Sequence, residues 1–367
     1  MSKVGIITIH YGINYGSVLQ AYALQDYLVR LNHDVEIINY IPYRYQKDRK
    51  FSLKKRGKFS IKEFAYQMLT LQKKKNNLAL FDSFLSNHTM IKEEVYSLNE
   101  LSVNYADYDA LIVGSDQVWN SDYNQGIDTA YYLSFASPST KKIAYAASCG
   151  KEDYTCQEWS EINDLLYDFN AISLRESSMV ELFRQKGINC EFVCDPVFLL
   201  SESDWLRIAD SNMQINEDYL LIYCLDSDKE ELIRLGKIIS KKRGLKTVLV
   251  SYYAISPCKE VDYSLEGCSP EMFLHLMKRA SFVVTNSFHG TAFSIVFNRQ
   301  FIVTKRKKYN SRIDSLLNTF DLMERYVDLD EVEILKEDID YQMVNEIKES
   351  FVNQSKQFLK DSIKEGR

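Results

Sequence analysis

The sequence predicts an α/β protein with two Rossmann-like domains and a helical C-terminal tail. Apolar, β-branched segments alternate with segments of helical periodicity through residues 1–200, and the alternation restarts after a polar stretch at 201–217. The chain has 367 residues, which is longer than one hydrophobic core usually holds. Alternating strands and helices favour parallel sheets with right-handed crossovers. We therefore place the first domain at 1–200, the second at 201–330 and the tail at 331–367.

In the first domain, each expected strand is a short apolar run that ends at a polar or glycine-containing turn. These strands are 4–9, 34–40, 110–113, 142–147, 171–174 and 192–194. Apolar residues recur at helical spacing from Leu19 to Leu28, and Ser17 is the expected cap of that helix. Further helices are expected at 61–84, after a basic stretch, and at 177–186.

The second domain repeats the pattern, with strands at 219–224, 247–251, 282–285 and 301–304 and helices at 229–242, 270–279 and 290–297. The tail is charged and amphipathic, which predicts one or two helices. Ligands of open α/β sheets bind outside the carboxyl ends of the strands. The polar turns that follow these strands are therefore expected to meet at one cleft between the domains.

Composition and charge count against several classes of protein. The net charge of −6 does not suit a nucleic-acid binder. Seven cysteines show no metal-ligand spacing, so we expect buried free thiols and a reducing cytoplasm. The sequence begins with a strand rather than a signal peptide, and no apolar run approaches the ~20 residues of a membrane span. No D-x-D element follows a strand, so the site is expected to work without a metal or a cofactor.

Two turns of the first domain offer polar groups to a ligand. Glycine and asparagine before a helix suit an anion or another closely approaching ligand, and an ordinary βα turn is the alternative; the residues concerned are Asn14, Tyr15, Gly16 and Ser17. The turn after strand 110–113 offers hydroxyl, carboxylate and amide groups and an indole face, from Ser115, Asp116, Gln117 and Trp119. The alternative for this turn is that Asp116 only caps the next segment.

Charged residues follow three other strands. Arg175 can hold a carboxylate or phosphate with two parallel hydrogen bonds, unless it forms a surface pair with Glu176. Asp195 precedes a proline, and we interpret it as a structural residue that bonds nearby amides. The turn with Ser287, His289 and Gly290 opens a helix, whose N-terminus attracts anions and whose histidine can move a proton near neutral pH. Lys305 and Arg306 follow the last strand as a phosphate clamp or as solvated surface.

Five segments, in the same order along the chain, resemble the polysaccharide pyruvyl transferases. They are 14–21, 109–120, 173–176, 195–200 and 285–290, and the resemblance spans roughly residues 4–330. Each segment is short, and their common order makes the resemblance specific. It implies a two-domain fold similar to the GT-B glycosyltransferases, in which we expect the tail to pack back on the first domain.

The resemblance also implies an activity. Members of the family transfer the enolpyruvyl unit of phosphoenolpyruvate onto a sugar, as a ketal that bridges two hydroxyls. It implies that His289 is the general acid and that Arg175 binds the donor anion. Several members carry an arginine where this chain has Ser287, so the missing positive charge would come from Lys305 or Arg306. We expect Asp116 to orient or deprotonate an acceptor hydroxyl.

The expected partners are phosphoenolpyruvate and a nucleotide-linked or lipid-linked sugar, in surface polysaccharide assembly. A lipid-linked acceptor would bring this cytoplasmic protein to the inner face of the membrane, with the basic segment 45–58 as the contact. Two alternatives stay open. One is a glycosyltransferase that uses a nucleotide sugar in the same cleft, and the other is a non-catalytic sugar- or anion-binding protein.

Overall fold

A computed structural model describes residues 1–42, 45, 61–212, 215–225, 229–251, 257–305, 310–327 and 337–364. Over these residues the chain forms two parallel sheets flanked by helices, which confirms the predicted α/β class. The first sheet has the strand order β2-β1-β3-β4-β5-β6, and the second has the order β11-β10-β7-β8-β9. The strands are β1 Lys3–Ile7, β2 Asp34–Ile37, β3 Ala110–Val113, β4 Lys141–Ala147, β5 Ala171–Leu174, β6 Glu191–Phe192, β7 Tyr219–Tyr223, β8 Lys246–Val250, β9 Tyr263–Leu265, β10 Phe282–Thr285 and β11 Gln300–Val303.

The helices alternate with these strands, as the periodicity predicts. They are α1 Tyr15–Arg30, α2 Ile61–His88, α3 Leu98–Tyr105, α4 Ser121–Asn124, α5 Cys156–Leu166, α6 Ser177–Gln185, α7 Glu202–Leu206, α8 Lys229–Arg243, α9 Pro270–Arg279, α10 Phe288–Val296, α11 Ser311–Thr319 and α12 Tyr341–Lys364. Short 3-10 helices add Thr129–Tyr132, Pro196–Phe198 and Met323–Arg325. Central strands such as β3 and β10 are buried along their whole length, because helices cover both faces of a parallel sheet.

The N-cap of helix α1 lies three residues before the predicted one. Asn14, not Ser17, is the N-cap, and its side-chain oxygen accepts hydrogen bonds from the backbone N–H groups of Gly16 (3.0 Å) and Ser17 (3.4 Å). Both residue types cap helices well, so local chemistry alone did not separate them. The start at Asn14 places the Ser17 hydroxyl inside the first turn, where it is available to the neighbouring strand β3.

The two sheets are joined through a shared aromatic core. Tyr15 of α1 stacks on Phe273 of the second domain, with ring centroids 4.2 Å apart and planes 4° from parallel. Its hydroxyl donates a hydrogen bond to the backbone oxygen of Cys268 at 2.9 Å. Tyr15 is fully buried, so the predicted ligand loop gives this side chain to the junction between the domains and not to a ligand.

The C-terminal helix α12 contacts both domains. On the first domain, Ser355 accepts a hydrogen bond from the Cys194 N–H at 2.9 Å, and the Lys141 ammonium donates one to the Ile363 oxygen at 2.8 Å. On the second domain, the Lys348 ammonium reaches the Ile295 oxygen at 3.3 Å. The last helix therefore covers part of the first sheet, although the chain enters it from the second domain.

Candidate active site

The polar turns of both sheets converge where α1 meets α10. Asp116 follows β3, Arg175 follows β5 and Asp195 follows β6, all at carboxyl ends of the first sheet. His289 lies in the first turn of α10, which follows β10 of the second sheet. All four side chains are at least nine-tenths buried. The sequence predicts Asp116, Arg175 and His289 as site residues and Asp195 as a structural one.

Asp195 and Arg175 form the central ion pair. The Nη1 group of Arg175 donates hydrogen bonds to Asp195 Oδ2 and, at 3.2 Å, to Ser115 Oγ. Ser115 Oγ in turn donates to Asp195 Oδ2 at 2.8 Å. The guanidinium carbon lies 4.3 Å from the ring centroid of Phe288, so the cation also rests on an aromatic face. Buried charges need this degree of pairing to remain ionised.

The Asp195 carboxyl is held in its ionised form. Burial alone would raise its pKa, but the Arg175 guanidinium and His289 lower it, and the net pKa lies well below the ordinary range of an aspartate. Its other oxygen accepts a hydrogen bond from the Val197 N–H at 3.0 Å, as the structural interpretation of the sequence expected. His289 Nε2 lies 3.7 Å from Asp195 Oδ2, so the Asp195 carboxylate faces both the guanidinium and the imidazole of the site.

Several buried polar atoms of the site have no hydrogen-bond partner among the described residues. They are Nε and Nη2 of Arg175, Nε2 of His289 and Nδ2 of Asn286. Buried polar groups are nearly always hydrogen-bonded, so these unpaired groups at the carboxyl ends of strands are candidates for contact with a ligand. Arg175 thus binds Asp195 through Nη1, while its Nε and Nη2 form no hydrogen bond with the described residues.

Gly16 and Gly290 allow the close packing around His289. A Cβ atom at Gly16 would lie 1.9 Å from His289 Nδ1, so only glycine leaves room for the imidazole beside α1. A Cβ at Gly290 would lie 2.4 Å from Thr285 Oγ1. Ser287 is the N-cap of α10, and its hydroxyl accepts a hydrogen bond from the Gly290 N–H at 3.3 Å. Both glycines and Ser287 therefore shape the turn that carries the histidine.

Asp116 occupies a left-handed backbone conformation, with φ of 57°. This region is uncommon for residues other than glycine, and such positions cluster at functional sites. Its Oδ2 accepts a hydrogen bond from Ser17 Oγ at 2.6 Å, and its Oδ1 accepts one from the Gln117 N–H at 2.8 Å. The Arg175 Nη2 lies 3.9 Å from Oδ1. Asp116 and Ser17 thus stand beside the ion pair as a carboxylate and hydroxyl of fixed geometry.

The remaining predicted residues lie in different surroundings. Trp119 is buried between Tyr132 and Phe183, with centroid distances of 5.3 Å and 6.0 Å, and its indole N–H donates to the Tyr131 oxygen. The indole face expected for a ligand is therefore covered by aromatic neighbours. Gln117 is half-buried, and its side-chain oxygen accepts a hydrogen bond from Asn120 at 2.8 Å.

Lys305 and Arg306 follow β11. No contact among the described residues joins Lys305 to the ion pair of Arg175 and Asp195. The Lys305 ammonium lies 5.2 Å from the ring centroid of Tyr326, on an exposed side chain. Arg306 lies outside the described residues. The surface pair that was the alternative for Arg175 is not formed. Glu176 is fully buried and instead accepts hydrogen bonds from Ser148 Oγ and the Cys149 N–H.

Within the described ranges, no three His, Cys, Asp or Glu side chains come together in a group that could hold a metal ion. No helix in the described part of the chain combines the length and apolar character needed to cross a bilayer.

Comparison with known proteins gives a family and a fold. A family model described as polysaccharide pyruvyl transferase matches residues 14–307, which is more than half of the chain. The fold is similar to UDP-GlcNAc 2-epimerase from Neisseria meningitidis bound to UDP-GlcNAc (TM-score 0.51, 9% identity, 100% of both chains covered). It is also similar to UDP-GlcNAc 2-epimerase from Methanocaldococcus jannaschii (TM-score 0.51, 14% identity, 96% of this chain and 93% of that chain). At these identities the likeness concerns the fold alone, and it confirms the predicted GT-B-like arrangement. No curated protein sequence matches the chain.

Proposed function

The chain belongs to the polysaccharide pyruvyl transferase family, and from this premise we propose that it transfers the enolpyruvyl group of phosphoenolpyruvate to a sugar. The product is a ketal that bridges two sugar hydroxyls, and phosphate is released. The observation that carries the proposal is the buried guanidinium of Arg175, whose Nε and Nη2 form no hydrogen bond with the described residues, as His289 Nε2 also does not. An anion-binding fork and a proton donor are the two groups that this reaction requires.

Donor binding is assigned to Arg175 and to the start of α10. Phosphoenolpyruvate is a compact polyanion with a carboxylate and a phosphate, and each matches the fork of a guanidinium. The first turn of α10 adds backbone N–H groups and the positive end of the helix dipole. Ser287 brings no charge to this turn. Among the described residues, Arg175 is therefore the cation that supports donor binding.

In the proposed reaction, protonated His289 delivers its proton to the C3 methylene carbon of the donor. The C2 carbon then has the character of an oxocarbenium ion, and the first sugar hydroxyl attacks it. The proton of that hydroxyl returns to His289, directly or through Asp116. The bond from C2 to the phosphate oxygen then breaks, the second hydroxyl attacks the oxocarbenium-like C2 that results, and its proton leaves with the phosphate. Asp195 stabilises the positive charge of Arg175 throughout these steps.

The test is a thermal-shift titration with phosphoenolpyruvate, with UDP-sugars titrated in parallel. A ligand at one hundred times its Kd stabilises the folded protein by about 2.7 kcal/mol, which raises the Tm measurably. We expect a shift with phosphoenolpyruvate that disappears in Arg175→Ala. Arg207→Ala is the matched control, because the Arg207 side chain is 62% exposed and pairs with Asp204, away from the site.

Other outcomes of the titration would overturn the proposal. A shift with a UDP-sugar and none with phosphoenolpyruvate would favour a glycosyltransferase with the same fold. A phosphoenolpyruvate shift without any phosphate release, unchanged in His289→Gln, would favour a non-catalytic anion-binding protein. We further propose a nucleotide-linked or lipid-linked acceptor in surface polysaccharide assembly. For a lipid-linked acceptor, segment 45–58 would contact the inner membrane face; only Tyr45 of that segment lies within the described residues.

A further inference from the structure

Three tyrosines form a continuous aromatic surface near the carboxyl edge of the first sheet. Tyr11 comes shortly after β1, Tyr45 lies between β2 and α2, and Tyr123 belongs to α4. The ring centroids of Tyr11 and Tyr45 are 4.8 Å apart, and those of Tyr45 and Tyr123 are 5.9 Å apart. We call these three residues the tyrosine wall. They come from three separate segments, so the wall is a product of the tertiary fold.

Hydrogen bonds hold the wall in place. The hydroxyls of Tyr11 and Tyr131 are 3.2 Å apart, and the Tyr45 hydroxyl donates to the Tyr123 backbone oxygen at 3.4 Å. The Tyr123 N–H donates to the side-chain oxygen of Asn120, the N-cap of α4, at 3.1 Å. Ring contacts of this kind add to burial in fixing the positions of the rings. The wall is therefore a preformed surface.

The wall is open at Tyr123 and lies beside the site. Tyr123 leaves 42% of its surface exposed, although its ring contacts the ring of the half-buried Tyr45. Its segment is tied to the Asp116 turn, because the Asn124 amide donates a hydrogen bond to the Val118 oxygen at 2.8 Å.

We propose that the tyrosine wall is the acceptor subsite. Tyr123 stacks on the apolar face of a pyranose ring, and Asp116 orients or deprotonates the reacting hydroxyl. This inference rests on the proposed transferase function. A pyranose presents C–H bonds on its faces and hydroxyls at its rim, which matches an aromatic ring next to a carboxylate. The acceptor class is accordingly a pyranoside with an unbroken C–H face.

Tyr123 is assigned the contact with the sugar because it is the most exposed of the three tyrosines. Tyr11 is buried and Tyr45 is half-buried, so they support the ring of Tyr123 from behind. The other groups near α4 are polar: Lys151 donates to Ser121 Oγ at 2.8 Å and to Asp122 Oδ1 at 3.3 Å. An aromatic face bordered by such hydrogen-bonding groups suits a sugar better than an apolar ligand.

The test measures binding of methyl β-D-galactopyranoside, whose lower face is an unbroken C–H surface, by saturation-transfer NMR in the presence of phosphoenolpyruvate. We expect Tyr123→Ala to raise the Kd of the galactoside by about tenfold, the size of one lost aromatic contact. Tyr123→Phe keeps the ring and should bind like the wild type. Tyr167→Ala is the matched control, because Tyr167 is 92% exposed and outside the wall.

Failure of this inference is separate from failure of the proposed function. The thermal shift with phosphoenolpyruvate should be the same in all three variants as in the wild type. If that shift is present and the galactoside does not bind, or binds Tyr123→Ala and the wild type equally, the wall is not the acceptor subsite. If the wild type shows no phosphoenolpyruvate shift, the donor assignment fails, and the galactoside titration alone decides about the wall. The Tm of each variant without ligand reports whether it folds.

Discussion

Replacing Gly16 by alanine tests whether the imidazole of His289 must stay where the structure places it. The added Cβ would lie 1.9 Å from Nδ1, 2.2 Å from Cγ and 2.5 Å from Cε1 of His289. Three ring atoms would clash at once, so a small rotation does not relieve the contact. The ring, or the whole start of α1, has to move by roughly 1.5 Å to restore ordinary van der Waals distances.

The effects on stability partly cancel, whereas the effect on catalysis does not. Alanine in a helix is favoured over glycine by about 1 kcal/mol, and overpacking a core costs about 1–3 kcal/mol. The net loss is therefore about 0–2 kcal/mol, or a few degrees in Tm for domains of this size. A catalytic group displaced by on the order of 1 Å costs about a hundredfold in rate. We expect kcat to fall by about that factor while the protein remains folded.

The assay is phosphate release from phosphoenolpyruvate with an accepted sugar, together with the Tm of each variant. Gly236→Ala is the matched control. Gly236 is also a helical glycine, in α8, and its neighbours do not include the histidine. Its added Cβ would lie 2.6 Å from Cδ1 of Ile222, a residue of β7. It should change the Tm and leave kcat unchanged. If Gly16→Ala kept kcat within twofold of the wild type, His289 could not be the positioned acid that the mechanism requires.

Three further predictions concern the ion pair, acid stability and the core. Asp195→Asn removes the carboxylate that pairs with the buried Arg175, and it should lower the free energy of unfolding by about 3–5 kcal/mol in urea. Asp168→Asn, at an exposed ion pair, is the control and should lower it by less than about 1 kcal/mol. Equal losses of stability in the two variants would contradict this account. Burial would raise the pKa of Glu158, but hydrogen bonds from Ser121 and the Thr155 backbone lower it to about 2. The contribution of ionised Glu158 to stability is therefore complete above pH ~4.5 and is lost as the pH falls towards 2. The Tm difference between wild type and Glu158→Gln should accordingly shrink from pH 5 to pH 3. A difference that stays constant over this range would refute the prediction. Trp119→Ala truncates a core side chain and should lower the free energy of unfolding by about 3–5 kcal/mol. It should not weaken phosphoenolpyruvate binding in the thermal-shift titration. Weaker binding with unchanged stability would instead indicate that Trp119 contacts a ligand.

The order of strands and helices could be predicted from the sequence because the signal is strong. The strands β3 and β5 occupy the predicted residues, since a parallel sheet buries both faces and leaves an unbroken apolar run. Helix α3 was missed, although Ser97 and Glu100 form a capping box there. The motif was visible in the sequence, and the short helix behind it has too few apolar residues to produce a clear period.

Site residues could be predicted only where the residue type and its position after a strand together indicate a chemical role. His289, Arg175 and Asp116 follow strands, and that is sufficient to expect them at one cleft. Asp195 bonds the Val197 amide as expected, but its pairing with Arg175 depends on β5 and β6 being neighbours, which no local pattern encodes. Trp119 shows the opposite case, because the rings that cover it include one from α6, distant in sequence.

The position of α12 has a consequence for how the protein is made. Phe358 of this last helix packs against Tyr145 of β4, and Ser355 accepts the hydrogen bond of the Cys194 N–H. The ribosome therefore produces the whole second domain before the first one can be completed. At about 5–20 residues per second, the nascent first sheet waits roughly 10–30 seconds with part of its apolar face uncovered. Removal of α12 should leave this part of the first sheet uncovered in the finished protein as well.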